Sequence, residues 1–375
     1  MTGMASQQIT EEISEEDERR FFSVVATELS DEQKHRVTEP ESVYPLQEMV
    51  MALHWHPEHV PLALIERRIA VLYPNQRDAL IIPTQHNVIE CVGEYAGVEV
   101  DCYSKGFNQK VQLLLHFDRR NLDKADALKK MLAHTFKYRS SQLFEFIRAI
   151  TKPDETIIER AVKETGADAD LVAFVRAYVK KVEQMLSIHA DIIPPAMVKN
   201  KVIANFFDTL RADYDDLLIY RAQTFLKAVK TSVKAGFSLQ YFYRTSEVIE
   251  EARSLNAGVV IPHPEQFWPI LLANYDVDGY EVWNPQSQRY TDFLISVLDE
   301  KNRRSDRSRR LLVFMGDDTH MGEKIKDKTL QDPIKAGREI GLQPAWDDYM
   351  ISRKLILASM ERRRVIDEYR QRLAG

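Results

Sequence analysis

Five short groups of histidine and acidic residues stand out by type and spacing: His54-Trp55-His56, Thr84-Gln85-His86-Asn87, Gly97-Val98-Glu99-Val100-Asp101, Pro262-His263-Pro264 and Asp317-Asp318-Thr319-His320. Imidazole and carboxylate are the side chains that hold zinc, manganese or iron. In an extended strand His54 and His56 point to one face, because side chains alternate with period two. Asp318 and His320 share a face in the same way, and Gly316 just before them allows a sharp turn. Brought together, these groups would make a metal centre.

The elements that must position them are strands. The group at Glu99 lies within an apolar run, and each of the others follows one: Met51-Ala52-Leu53, Ala79-Leu80-Ile81-Ile82, Gly258-Val259-Val260-Ile261 and Leu311-Leu312-Val313-Phe314-Met315. Strand ends are where an α/β barrel collects its chemistry. From Pro45 to about Phe117 such runs alternate with one helical segment, Leu62 to Leu72, as a βαβ arrangement requires. From about Asp118 to Ala252 the pattern changes to long amphipathic helices, predicted over Ala125–Tyr138, Ser141–Ile150, Asp168–Ile188 and Tyr214–Ala235. Alternation returns from Ala257 to about Lys324.

The expected organisation is therefore an acidic N-terminal arm (1–44), the first part of a barrel (45–117), a helical insertion (118–252), the second part of the barrel (253–330) and a helical tail (331–375). Ser14-Glu15-Glu16-Asp17 reads as a helix start in the arm, with Phe21, Phe22, Val25 and Leu29 at helical spacing behind it. In the tail, Trp346, Tyr349, Ile356, Leu357 and Met360 read as the buried side. Arg362, Arg363, Arg364, Arg370 and Arg372 read as a solvated face whose charge is diluted by Glu361, Asp367 and Glu368.

Composition narrows the class. At 375 residues and 44% hydrophobic content, the chain can bury a substantial core. Its 57 acidic and 51 basic residues leave a formal charge of -6, which argues against tight binding of long nucleic acid through phosphates. Two cysteines, Cys91 and Cys102, are too few for a disulfide framework and fit a reducing compartment. No signal-peptide pattern and no apolar run of about 18 residues is present, so a cytoplasmic location without a membrane span is expected.

Each group also has a plainer reading. A lone His-x-His arises from two solvent-facing imidazoles, an exposed His-Pro turn looks like Pro262-His263-Pro264, and Asp317 to His320 reads as a polar turn. His35, His134 and His189 read as surface residues, and His59 is ambiguous. Five such groups at five run ends are hard to assign to independent accidents.

The order of the groups resembles the PHP (polymerase and histidinol phosphatase) domain: His-x-His, Thr-x-His, Gly-x-Glu, His-Pro and Asp-x-His. The segment Asp278-Gly279-Tyr280-Glu281-Val282-Trp283-Asn284 is similar to the Gly-x-Glu-Val-x-Asn strand that this family carries between its last two groups. The resemblance covers about residues 50–117 and 255–325. It implies a distorted (β/α)7 TIM-like barrel holding two or three divalent metal ions, zinc, manganese or iron, at the C-terminal strand ends. It also implies metal ligands at His54, His56, His86, Glu99, His263, Asp318 and His320, with Glu99 bridging.

The family offers a further histidine where Gln112 stands here; His116, four residues on and on the same face of a regular strand, is the substitute. Gln85 replaces the usual aspartate before His86 and cannot supply an orienting carboxylate. The acidic or histidine ligand common after His-x-His has only Glu58 and His59 as counterparts. Between His86 and Glu99 there is little room for a full helix.

The implied chemistry is hydrolysis of phosphoesters by metal-activated water. Glu99 would fix the metal separation, and His263 or His320 would assist proton transfer to the leaving group. A small phosphorylated substrate fits the charge balance better than a long polymer. Lys105 and Arg289 lie near the motif strands, but nothing selects them as phosphate contacts. Two other readings stay open: an amidohydrolase-type metal hydrolase, which would call for a metal-bridging lysine, and a diverged, non-catalytic binding or assembly module. The insertion and tail offer surfaces for a homo-oligomer.

Overall fold

The apolar runs ahead of the histidine and acidic groups fold as strands. In the computed structural model, which describes residues 10–304 and 309–375, they are β1 (Met49–Ala52), β2 (Trp55–His56), β3 (Asp78–Ile81), β4 (Glu90–Val92), β5 (Tyr95–Ser104), β6 (Gln109–Asp118), β7 (Gly258–Ile261), β8 (Gly279–Trp283), β9 (Leu312–Met315) and β10 (Thr319–His320). The chain divides into two compact units: the described part of Met1–Glu28 with Lys137–Ser238, and Leu29–Phe136 with Leu239–Gly375.

All ten strands lie in the second unit, in three sheets. β1 and β3 pair in parallel across the helix Leu62–Leu72, whose bounds match the sequence pattern. β2 pairs in parallel with β10, and the largest sheet runs β4-β5-β6-β7-β8-β9. The architecture is mixed α/β, and its ladders do not close into one continuous barrel. Single hydrogen bonds join the sheets near the strand ends: Asp318 N donates to His54 O at 2.9 Å, Glu99 N to Gln85 O at 3.2 Å, and Asn87 N to Glu99 O at 2.7 Å.

The stretch from β4 to β6 departs from βα alternation. β4 pairs antiparallel with β5, and β5 with β6. Only residues 105–108 separate β5 from β6, and a parallel crossover needs about a dozen residues or more, so a hairpin is the only connection that fits. β6 is antiparallel to β7 as well.

The core of this unit is built on Val98, Val100, Leu113, Leu115, Val259, Val260, Val282 and Phe314. The C-terminal helix Arg362–Ala374 packs on it through Val365, Ile366, Tyr369 and Leu373. Tyr369 passes so close to Gly258 that a Cβ there would lie 2.2 Å from its hydroxyl, which is why β7 starts with glycine.

The tail corrects two expectations. Trp346 and Met360 are buried, but Tyr349, Ile356 and Leu357 are exposed, because Ser359 (φ 55) breaks the tail into helices Tyr349–Leu357 and Arg362–Ala374 that turn different faces inward. The arginines are not simply a solvated face. Arg362 pairs with Asp347 at 2.9 Å, Arg370 with Asp78 at 2.6 Å and Arg372 with Asp278 at 3.0 Å; Arg363 and Arg364 are exposed.

The first unit is helical. Its longest helices, Tyr138–Thr151, Ala169–Ile188 and Asp216–Gly236, enclose Phe146, Phe174, Val179, Phe206, Phe207 and Phe225. Helix Glu15–Val25 starts at Ser14 with a capping box, in which Asp17 N donates to Ser14 Oγ at 3.1 Å and Ser14 N to Asp17 Oδ2 at 2.9 Å. The helix ends at Val25, and Leu29 belongs with the other unit. Among the described residues no helix is long and apolar enough to cross a membrane.

Asp17 Oδ2 also accepts from Lys181 Nζ at 2.8 Å, and both side chains are buried. Burial alone would raise the Asp17 carboxyl, but the Lys181 and Ser14 bonds outweigh it and hold it below its ordinary value. This stabilisation is present above the ordinary carboxylate range and is lost as pH falls through the lowered folded value. Asp17→Ala strands Lys181 as a buried charge, and we expect a loss of about 3–5 kcal/mol in urea unfolding at neutral pH. A loss below about 1 kcal/mol would show that solvent reaches this ion pair.

Candidate metal centre

The C-terminal ends of β1, β3, β7 and β9 and their following loops converge beside the middle of β5, where Glu99 stands. Thr84 fixes the loop after β3 against β2, with Thr84 N donating to Trp55 O at 2.9 Å and Trp55 N to Thr84 Oγ1 at 3.2 Å. His54 and His56, one face of an extended segment, thereby meet His86, Glu99, His263, Asp318 and His320. Three sets have their ligand atoms within 4.8 Å of one another: His56, His86 and His320; His54, Glu99 and His263; and His54, His56 and Asp318. The His56 ring packs against both those of His86 and His320, with centroids 4.3 and 4.2 Å away, and those two rings lie 5.7 Å from each other.

Glu281 anchors one side of this cluster. Its Oε1 lies 2.6 Å from His54 Nδ1, and its Oε2 accepts from His263 N at 3.0 Å. His263 sits in a strained conformation, φ 29, that this bond helps to hold. Gly316 makes room for the carboxylate, since a Cβ there would lie 2.0 Å from Oε1. The sharp turn expected at Gly316 is made instead at Asp318, φ 48. The segment around Glu281 was legible as part of a motif, but the pairing of Glu281 with His54 carried no sequence signal of its own.

His86 Nδ1 lies 2.6 Å from Glu99 Oε2, but the other donors of the cluster stand farther apart. His54 Nε2 lies 3.6 Å from Asp318 Oδ1, His56 Nε2 3.5 Å from the same oxygen, and His56 Nε2 3.4 Å from Glu99 Oε2. These distances are too long for good hydrogen bonds. With bonds of about 2.0–2.1 Å, two ligands of a tetrahedral ion stand roughly 3.4 Å apart. His54 Nε2, both ring nitrogens of His56 and His263 Nδ1 are buried and find no hydrogen-bond partner among the described residues. Unpaired buried polar atoms are costly unless something else satisfies them. The residues present fit a bound transition metal, and Glu281 stands to His54 as the outer carboxylate that orients an imidazole ligand.

Electrostatics agree with that fit. Burial alone would lower the His54 imidazole, but Glu281 overrides it and holds the ring protonated up to about 10. Its Nε2 proton is the one that a metal displaces. Burial, with His320 and His86 beside it, pushes His56 down to about 3, leaving the neutral ring that ligates ions. For Glu99 and Asp318 burial opposes ionisation, yet the surrounding imidazoles keep both carboxylates well below their usual range. Asp317 differs: burial pushes it up to about 7, and its oxygens accept from Gly341 N and Thr319 N, at 2.9 and 3.1 Å.

His116 does not join the cluster. Both its ring nitrogens are engaged, Nδ1 with the Tyr369 hydroxyl at 2.7 Å and Nε2 with Leu53 O at 2.9 Å. The cause is strand direction. Because β6 is antiparallel to β7, its later residues recede from the convergent strand ends, and His116 pairs with Gly258 at the start of β7. Lys105 lines a separate cavity of about 640 Å³ with Tyr103 and Arg244, and the Arg289 guanidinium lies over the Tyr290 ring.

Further side chains border the cluster, among them Glu58, one of the two counterparts of the ligand expected after His-x-His. Glu58, φ 54, brings Oε1 to 3.5 Å from His320 Nδ1, and Gln85 Oε1 accepts from Glu58 N at 3.2 Å. Arg338 Nη1 donates to Asp318 Oδ2 at 2.7 Å, and Gln286 Nε2 to the same oxygen at 3.2 Å. Behind Glu99, Asn87 Nδ2 donates to Asp101 Oδ2 at 2.8 Å, and Lys110 pairs with Asp101 Oδ1.

Glu281→Gln removes the charge that holds His54 while keeping the volume. We expect metal affinity, titrated with Zn²⁺ on metal-stripped protein, to fall by about 10–100-fold. Unchanged affinity would show that His54 needs no orienting carboxylate.

No family model matches the chain, and no curated protein matches it. Among solved structures, a Bifidobacterium adolescentis protein named as a putative metal-dependent phosphoesterase aligns over 84% of this chain and 97% of its own, at 16% identity and a TM-score of 0.40. At that level of similarity the chemistry has to be read from the residues themselves.

Proposed function

We propose that the chain is a metal-dependent hydrolase of phosphoesters, working at a binuclear site where strands of a distorted, PHP-like seven-stranded barrel converge. The observation that carries this reading is the spacing of 3.4–3.6 Å between the Nε2 atoms of His54 and His56, buried and otherwise unpartnered among the described residues, and the oxygens Glu99 Oε2 and Asp318 Oδ1. The hydrogen bonds between sheets support the barrel part of the reading, because they continue the strand order where the ladders stop.

In this reading His54 and His263 hold one ion and His56 and His86 the other. Glu99 and Asp318 lie between the two pairs and serve both. His54 serves a single ion, because Glu281 occupies its other nitrogen. Bound divalent ions would polarise a phosphoryl oxygen and supply hydroxide from water near neutral pH. His320 is the most exposed imidazole of the cluster, 26% at its side chain, and with Glu58 beside Nδ1 it is the group to hand a proton to the leaving oxygen. Glu99 sets the separation of the ions, and His263 acts as a ligand.

The amidohydrolase alternative calls for a lysine among the bridging groups, whereas the donors between the imidazole pairs here are two carboxylates. A small substrate suits the net charge of -6 better than a polymer.

Elemental analysis of the purified protein, with hydrolysis of p-nitrophenyl phosphate and bis-p-nitrophenyl phosphate on the same samples, tests the reading. We expect about two equivalents of zinc, manganese or iron, and loss of both metal and turnover in the double variant His54→Ala, Asp318→Ala. Metal without phosphoester turnover favours the amidohydrolase or the binding module, and no metal after supplementation sinks the site.

His320→Ala separates proton transfer from ligation. Turnover of a simple alkyl phosphate ester should fall by about 100-fold or more with metal content kept, and less for a p-nitrophenyl leaving group that needs no proton. Loss of an ion would make His320 a ligand instead.

A further inference from the structure

The two oxygens of Asp318 have different surroundings. Its Oδ1 faces His54, His56 and His320, at 3.6, 3.5 and 3.4 Å from their Nε2 atoms. Its Oδ2 accepts from Arg338 Nη1 and Gln286 Nε2. Arg338 Nη1 also donates to the Asp318 carbonyl at 2.9 Å. The Arg338 side chain is only 3% exposed, and its Nε is buried without a partner among the described residues. Both side-chain hydrogen bonds of this guanidinium therefore go to one residue, and that residue holds a left-handed backbone conformation, φ 48, uncommon outside glycine.

We propose that Arg338 is a positioning residue of the metal centre: by occupying Asp318 Oδ2 and clamping the Asp318 carbonyl, it leaves Oδ1 as the single oxygen turned toward both imidazole pairs. This rests on the metal-centre reading above. A free carboxylate would swing to offer both oxygens to one ion, whereas a carboxylate with one oxygen taken can bridge two ions through the other only. Arginine suits the task because Nη1 carries two N–H donors held in the guanidinium plane, and both of its acceptors, Oδ2 and the carbonyl oxygen, belong to Asp318.

The segment that carries Arg338 is itself fastened down. Glu339 pairs with Arg68 at 2.6 Å and Lys324 at 2.7 Å, Ile340 O accepts from the Tyr73 hydroxyl at 2.9 Å, and Gly341 O accepts from Gln47 Nε2 at 2.9 Å. Gly341 N donates to Asp317, and Gln343 Nε2 to Met315 O at 2.7 Å. Residues 338–343 thus form a strap that comes from outside the motif-bearing strands and fixes the Asp317-Asp318 corner. A buried ion pair held on so rigid a support aims a ligand better than a flexible surface lysine would.

The test is equilibrium titration of metal-stripped protein with Mn²⁺ alone, read by electron paramagnetic resonance, on wild type, Arg338→Met, Arg338→Lys and Glu339→Gln. We expect Mn²⁺ affinity to fall by about 10–100-fold in Arg338→Met, together with loss of the coupled two-ion signal. Arg338→Lys, which keeps the charge but on a shorter, flexible stem without the fixed guanidinium plane, should recover only part of the affinity. Glu339→Gln loosens the same strap but leaves both Arg338 bonds to Asp318 in place, and should lose clearly less affinity than Arg338→Met. Wild-type affinity in Arg338→Met, or an equal loss in Glu339→Gln, overturns the role given to Arg338. If Arg338→Met does not fold, as judged by near-ultraviolet circular dichroism, full affinity in Arg338→Lys overturns it and a weakened affinity supports it. A wild-type protein that takes up no Mn²⁺ sinks the metal centre and this inference together, whereas wild-type uptake matched by every variant sinks this inference alone.

Discussion

One buried carboxylate organises the convergent strand ends. Glu281 holds the His54 ring through Nδ1 and the His263 backbone through its amide, so that two groups far apart in sequence share a single anchor. A buried charge is costly unless it is paired and hydrogen-bonded, and this pairing is what makes Glu281 affordable. It also leaves His54 with one free nitrogen pointing into the cluster, which limits that residue to one ion. Gly316 follows from the same constraint, because any side chain there would overlap the carboxylate.

Around that anchor the cluster is arranged by opposed pulls. Burial drives each group toward its neutral form, while the mutual charges of imidazoles and carboxylates drive them back toward ionisation. His56, packed against two other rings, yields to burial and stays neutral; Glu99 and Asp318, surrounded by imidazoles, stay ionised. The outcome is a close set of imidazole nitrogens and charged carboxylate oxygens, several of them too far apart for good hydrogen bonds, which is the donor set that a divalent transition metal needs.

The sheet topology decides which residues can reach this place. β5 and β7 run in the same direction, so Glu99 and His263 come to one end. β6 runs against both, so a histidine late in β6 recedes while Gln112, earlier in the strand, lies toward the convergent end. Similarly, the tail contributes more than cover. Its helix Arg362–Ala374 fills the core through Tyr369, which engages His116, and residues 338–343 reach across to the Asp317-Asp318 corner.

The sequence by itself determined the elements and the candidate donors. Helix Leu62–Leu72, the capped start at Ser14, the strand runs ahead of His54, His86, His263 and Asp318, and the pairing of ligand types at their ends all follow from local periodicity and side-chain chemistry. Only the tertiary structure decided strand direction, which excluded His116, and the partners that come from distant segments, Glu281 to His54 and Arg338 to Asp318. It also decided which tail residues are buried and which arginines are paired, because a break at Ser359 redirects the helix faces. The physical reason is the range of the interactions: periodicity and capping act over a few neighbouring residues, whereas the orientation of a donor is set by contacts that span 227 residues for His54 and Glu281 and leave no local trace.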